Sequence, residues 1–100
     1  MLSRILEFKI SPHFMLRSWE RSIDEQLLYK ILPYVTVSNG EKKIAVATPS
    51  FLAQKGIVVK QKCCLVLVLS QKVLRTAFWC TDPNYLYKKE KQADFQWIYS

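Results

Sequence analysis

Residues 11–33, S-P-H-F-M-L-R-S-W-E-R-S-I-D-E-Q-L-L-Y-K-I-L-P, read as two short helices in series. Ser11 is a good N-cap, and Pro12 suits the first helical position, where an N–H has no helical partner. His13, Arg17 and Arg21 recur every four residues. At about 100° per residue successive members drift only about 40°, so the three share one face, joined by Glu20. Phe14, Met15, Leu16, Ser18 and Trp19 fill the remaining arc, which directs Trp19 toward a core. Asp24 is the expected N-cap of the second helix. Leu27, Leu28, Ile31 and Leu32 give that helix an apolar stripe, and Pro33 stops it.

The flanking sequence supplies strands. Residues 5–10 read as a first strand, with Ile5, Leu6, Phe8 and Ile10 apolar among Glu7 and Lys9. After the helices, residues 34–38 are rich in β-formers. Asn39-Gly40 then gives a strong hairpin signal, because both residues tolerate positive φ, and residues 42–48 form the returning strand. Residues 49–56 break the pattern and form a helical turn or a loop; residues 57–60 suggest a short strand. Residues 63–69, C-C-L-V-L-V-L, are apolar without alternation, as expected of a central strand covered on both faces.

Ser70-Gln71-Lys72 makes a tight turn, and residues 73–80 return as a strand. By alternation Arg75 shares a face there with Val73, Ala77 and Trp79. Asp82-Pro83-Asn84 is a turn, residues 85–92 suggest a short helix, and residues 95–99 form an extra strand or a docking segment. This order predicts an α+β domain: an N-terminal strand and two short helices packed on an antiparallel sheet. One domain spans residues 1–100, with residues 81–100 a C-terminal extension of unassigned role.

Composition narrows the function classes. The chain has 100 residues, half of them hydrophobic, enough for one core. The formal net charge of +7 favours an anionic partner. The N-terminus, interrupted by Arg4, Glu7 and Lys9, is unlike a signal peptide, and the apolar run 63–69 is too short to span a bilayer. A cytoplasmic protein without membrane association is expected. Cys63, Cys64 and Cys80 are too few and too poorly spaced for a disulfide framework or a zinc site, and read as small buried hydrophobes. No Gly-rich phosphate loop, nucleophile elbow or carboxylate cluster appears, so no cofactor or metal is expected.

The pattern S-x-H-x(3)-R-x(3)-R-x-I, followed by a short helix and several strands, resembles the RelE/ParE-type toxin superfamily and its BrnT-like branch of small domains. The resemblance covers residues 8–79 and is most specific in the helical region. It implies an endoribonuclease that cleaves RNA without metal, by attack of a ribose 2′-OH on the adjacent phosphate. His13 would shuttle a proton, while Arg17, Arg21 and Arg75 would hold the phosphate. The implied partners are RNA and a cognate antitoxin protein. The expected RNA-binding set adds Lys72, Trp79, Lys88 and Lys89.

Each assignment has a plainer counterpart. The His13–Arg17–Arg21 face is equally the wet side of an amphipathic helix, with Arg17 and Glu20 paired. Arg75 could simply be solvated near a strand end. Tyr85, Tyr87, Lys88, Lys89 and Lys91 suit base stacking and phosphate binding, or an ordinary solvated helix. A non-catalytic module of the same fold, binding nucleic acid or protein through the same face, is the alternative function.

Overall fold

The computed structural model describes residues 9–10, 16, 20–21, 23, 25–36, 42–57 and 62–99. In chain order the elements are β1 (Lys9–Ile10), α1 (Glu25–Ile31), a 3₁₀ turn (Leu32–Tyr34) and β2 (Lys43–Ala47). They continue with α2 (Pro49–Gln54), β3 (Cys64–Ser70), β4 (Val73–Cys80), α3 (Pro83–Lys89) and β5 (Asp94–Ile98). The fold is α+β. Leu16 and Glu20 are helical, but the rest of the expected first helix, including Trp19, lies outside the described residues.

The strands form one sheet in the order β1-β4-β3-β2-β5. β3 is central, and pairs antiparallel with β2 and β4. Leu65 and Leu67 are fully buried. The missing alternation of residues 63–69 therefore has the expected cause: both faces of β3 are covered. Leu65, Leu67 and Leu69 join Leu28, Ile31, Leu32, Phe51 and Leu52 in one core. On the other face Cys64 and Val66 join Ile44 and Val46, flanked by Phe78, Leu86, Phe95 and Trp97.

The outer strands depart from the wholly antiparallel expectation. β1 runs parallel to β4, and β5 runs parallel to β2, so the sheet is mixed. The cause at β5 is α3, which lies between β4 and β5. A helix between two strands carries the chain back to its starting end, and the next strand then runs parallel. Residues 81–98 are thus built into the domain, as one edge strand and part of the second core.

The hairpin expected around Asn39-Gly40 is not the one the sheet uses. β2 has β3 on one side and β5 on the other, which leaves no slot beside it for the described residues 34–36 as a strand. Tyr34 closes the 3₁₀ turn, Val35 and Thr36 follow outside any strand, and Asn39-Gly40 lies outside the described residues. The side chain of Gln96 on β5 supplies three of the hydrogen bonds of this stretch. Gln96 Oε1 accepts from Thr36 N at 2.9 Å and from Thr36 Oγ1 at 3.1 Å, and Gln96 Nε2 donates to Tyr34 O at 2.6 Å. Buried Val35 anchors the segment. Packing and a side-chain clamp override β propensity here.

Local sequence explains the short helices. α2 starts at Pro49 and ends in a Schellman motif: Gly56 N donates to Ala53 O at 3.0 Å and Ile57 N to Leu52 O at 2.9 Å. Gly56, at φ +76°, supplies the left-handed residue the motif requires. α3 begins with Asp82, whose side chain accepts from Tyr85 N at 3.3 Å, followed by Pro83 in the first turn. Among the described residues no helix is long and apolar enough to cross a membrane.

Candidate functional site

β4 carries the strongest chemical features. Val68 pairs with Thr76 and Leu69 with Leu74, so Arg75 is the extra residue of a β-bulge. A bulge resets the alternation and re-aims its side chain. The expectation that Arg75 shares a face with Val73, Ala77 and Trp79 by simple alternation therefore fails. Arg75 is exposed, while Leu74 and Ala77, three positions apart, both face the helix-covered core.

Arg21 comes to the same stretch from the helical segment. Its Nη1 donates to Ala77 O at 2.7 Å and to Thr76 Oγ1 at 3.1 Å. In return Trp79 Nε1 donates to Arg21 O at 2.9 Å. The described β1 pairs only with Val73 and Leu74, so the Arg21 guanidinium takes over at β4 beyond the end of that ladder. Trp79 also packs its ring against the helix-side core. This reciprocal clamp ties residue 21 to a strand more than fifty positions away.

Two further cations border the bulge. Lys72 sits exposed in the turn before β4, and its carbonyl accepts from Lys9 N at 2.8 Å. Lys9 is exposed and pairs in register with Val73. Lys9, Lys72 and Arg75 are therefore near one another in register at the β1–β4 edge, and Arg21 bonds to the two β4 residues after Arg75. The sequence reading missed Lys9, because a two-residue parallel pairing across more than sixty positions leaves no local signal. His13 and Arg17 lie outside the described residues.

Lys88 and Lys89 are not part of this group. Both are exposed in the last turn of α3, which leads to β5 at the opposite edge. β4 and β5 are three strand spacings apart, roughly 14 Å at about 4.8 Å each. The eight expected site residues thus separate: Arg21, Lys72, Arg75 and Trp79 cluster at β4, while Lys88 and Lys89 belong to another surface.

Other polar groups are structural. Buried Lys43 donates through Nζ to Thr36 O and Oγ1, which fastens the 34–36 segment to β2. Cys63, Cys64 and Cys80 are free thiols. Burial, and then the neighbouring Cys80 and Cys63, push the Cys64 thiol above the ordinary value. Among the described residues no group of three or more His, Cys, Asp or Glu gathers as a set of metal ligands.

Comparison with protein-family models, with curated proteins and with solved structures gives no match.

Proposed function

We propose that this chain is a toxin-type, metal-independent endoribonuclease, similar in plan to the RelE/ParE superfamily, that works at the β4 side of its sheet. The observation that carries this reading is the anchoring of Arg21 on Thr76 and Ala77, directly beside the exposed Arg75. Arg21 bonds to the two β4 residues that follow Arg75, and the resemblance gives both arginines to the phosphate. Lys72 and Lys9 extend the positive border.

In this reading the ribose 2′-OH attacks its own phosphate, the bond from phosphorus to the 5′-oxygen of the next nucleotide breaks, and a 2′,3′-cyclic phosphate and a 5′-OH result. His13 takes the 2′-OH proton, and the leaving oxygen takes one from water. Arg75 and Arg17 hold the phosphate oxygens, where charge builds in the transition state. Arg21, with one nitrogen committed to β4, adds positive charge and fixes the strand beneath the phosphate. An acidic antitoxin surface covering this side would silence it.

One observation favours the plainer reading, a binding module without catalysis. The Arg21 guanidinium is already engaged in holding the fold. Purified chain incubated with RNA in EDTA separates the two. The proposal expects cleavage with 2′,3′-cyclic phosphate ends, lost in Arg75→Ala and slowed roughly 10²–10⁴-fold in His13→Ala. Salt-sensitive binding without cleavage selects the module; neither cleavage nor binding rejects both.

A further inference from the structure

The opposite side of the sheet carries a second recognisable surface. Tyr87, Lys88, Lys91, Ala93, Asp94 and Phe95 line a cleft of about 380 Å³. Lys42, Glu90, Gln92 and Ala93 line a second hollow of about 450 Å³. Ala93 lines both, so the two hollows adjoin along the α3–β5 connection, and the pair is called the groove. Within it Lys42 Nζ meets Glu90 Oε2 at 3.1 Å, and that ion pair forms part of the wall.

The groove has an aromatic floor. Tyr87 meets Phe95 edge to face, with centroids 5.1 Å apart and planes at 78°. Phe95 stacks beside Trp97 at 6.2 Å and 26°, and Tyr87 lies 6.2 Å from Trp97. Despite these contacts Tyr87 keeps 52% of its surface exposed, and its neighbour Tyr85 keeps 65%. Phe95 and Trp97 are half-buried. An aromatic group left this open in a folded chain is available for a planar partner. The lysines at its rim select an anionic one.

We infer that this groove binds single-stranded RNA, with bases stacked on Tyr87 and its aromatic neighbours and phosphates held by Lys88 and Lys91. Stacking accepts any base, and a lysine at each step neutralises the backbone, so the groove grips a strand without reading its sequence. Each hollow is large enough for a base. Asp94, the one acidic residue in the first hollow, suits an exocyclic amine rather than a phosphate. The inference rests on RNA as the partner of this chain, but not on cleavage. The groove would hold a strand whose other part reaches the β4 side, and so raise the local substrate concentration there.

The test measures anisotropy of a fluorescein-labelled ten-nucleotide single-stranded RNA with the full chain, across a salt series. Tyr87→Ala should weaken binding roughly tenfold or more, whereas Tyr87→Phe, which keeps the ring, should bind as the wild type does. The double variant Lys88→Glu, Lys91→Glu should lower the slope of log affinity against log salt by about 1.4, the share of two single-strand phosphates. Inorganic polyphosphate should feel the lysine changes but not Tyr87→Ala. Circular dichroism melting confirms that each variant is folded. Full-strength RNA binding by folded Tyr87→Ala and by the double variant overturns the inference, even if the wild type cuts RNA. RNA binding lost in these variants with no cleavage by the wild type upholds the groove and rejects the nuclease. No binding by the wild type at low salt overturns the inference, and association with a protein alone does the same.

Discussion

Replacing Arg21 with Ala should weaken the fold as well as any activity. Arg21 Nη1 makes two hydrogen bonds to β4, the shorter 2.7 Å to Ala77 O. Bonds from a charged donor are worth about 1.5–3 kcal/mol net, and these are half-shielded, so the pair contributes about 2–3 kcal/mol. Removal leaves the Ala77 carbonyl short of a partner beyond the end of the β1 ladder, with the Trp79 Nε1 bond to the residue-21 carbonyl, 2.9 Å, still in place. For a domain of 100 residues that loss lowers the melting temperature by roughly 8–20 °C. Arg21→Lys should recover only part of it, since both bonds leave the outermost nitrogen Nη1 and the shorter lysine does not carry its ammonium as far. Trp79→Phe should cost about 1 kcal/mol through the lost indole bond. Combined with Arg21→Ala it should cost less than the sum, because both act on one contact. Urea unfolding followed by circular dichroism measures each variant. An Arg21→Ala protein melting within 2 °C of the wild type would refute the clamp.

Three further outcomes check other parts of the structure. Leu67→Ala, in the fully buried centre of β3, should cost about 2–5 kcal/mol, a large share of the roughly 5–15 kcal/mol of a typical domain, and urea titration reads it. Gln71 holds φ +56° in the β3–β4 turn, so Gln71→Gly should raise stability by up to about 1 kcal/mol; an unchanged or lower melting temperature would count against that turn. The folded Cys64 thiol keeps its proton more tightly than the unfolded one. Its contribution is whole below the ordinary thiol value of 9.0 and shrinks as pH rises through it, so stability should fall across that range, and fall less in Cys64→Ala.

What the sequence revealed follows from where information is local. The run 63–69 named a central strand because burial on both faces writes itself into each residue of it. The stripe Leu28, Ile31 and Leu32 named α1 for the same reason, whereas α3 starts at Pro83, inside the expected turn, because Asp82 caps it, and ends at Lys89 rather than at residue 92. The strand expected at residues 34–36 beside β2 failed because a turn propensity at Asn39-Gly40 says nothing about whether β2 has a free side. That depended on β5, fifty residues later, and on Gln96, whose amide satisfies the chain at residues 34–36. The bulge at Arg75 was invisible because a bulge exists only as a mismatch between two strands. Arg21 was expected on a polar helix face with His13 and Arg17, but it lies half-buried in a turn and bonds to β4, in part to a backbone carbonyl, which no side-chain pattern encodes.

These two arginines therefore divide the work at β4, and the division decides which substitution speaks to chemistry. Arg21 is half-buried and bonded to the strand, so lost activity in Arg21→Ala would follow from a displaced strand whether or not phosphate ever binds there. Arg75 leaves β4 at the one residue that has no opposite number on β3, and it is exposed. Its removal spares the ladder and the core, and exposed substitutions of this kind stay within about 0.5 kcal/mol. A folded Arg75→Ala chain that no longer cuts RNA places charge stabilisation at the bulge. A folded Arg75→Ala chain that cuts as the wild type does moves the phosphate away from β4, whatever Arg21→Ala has done.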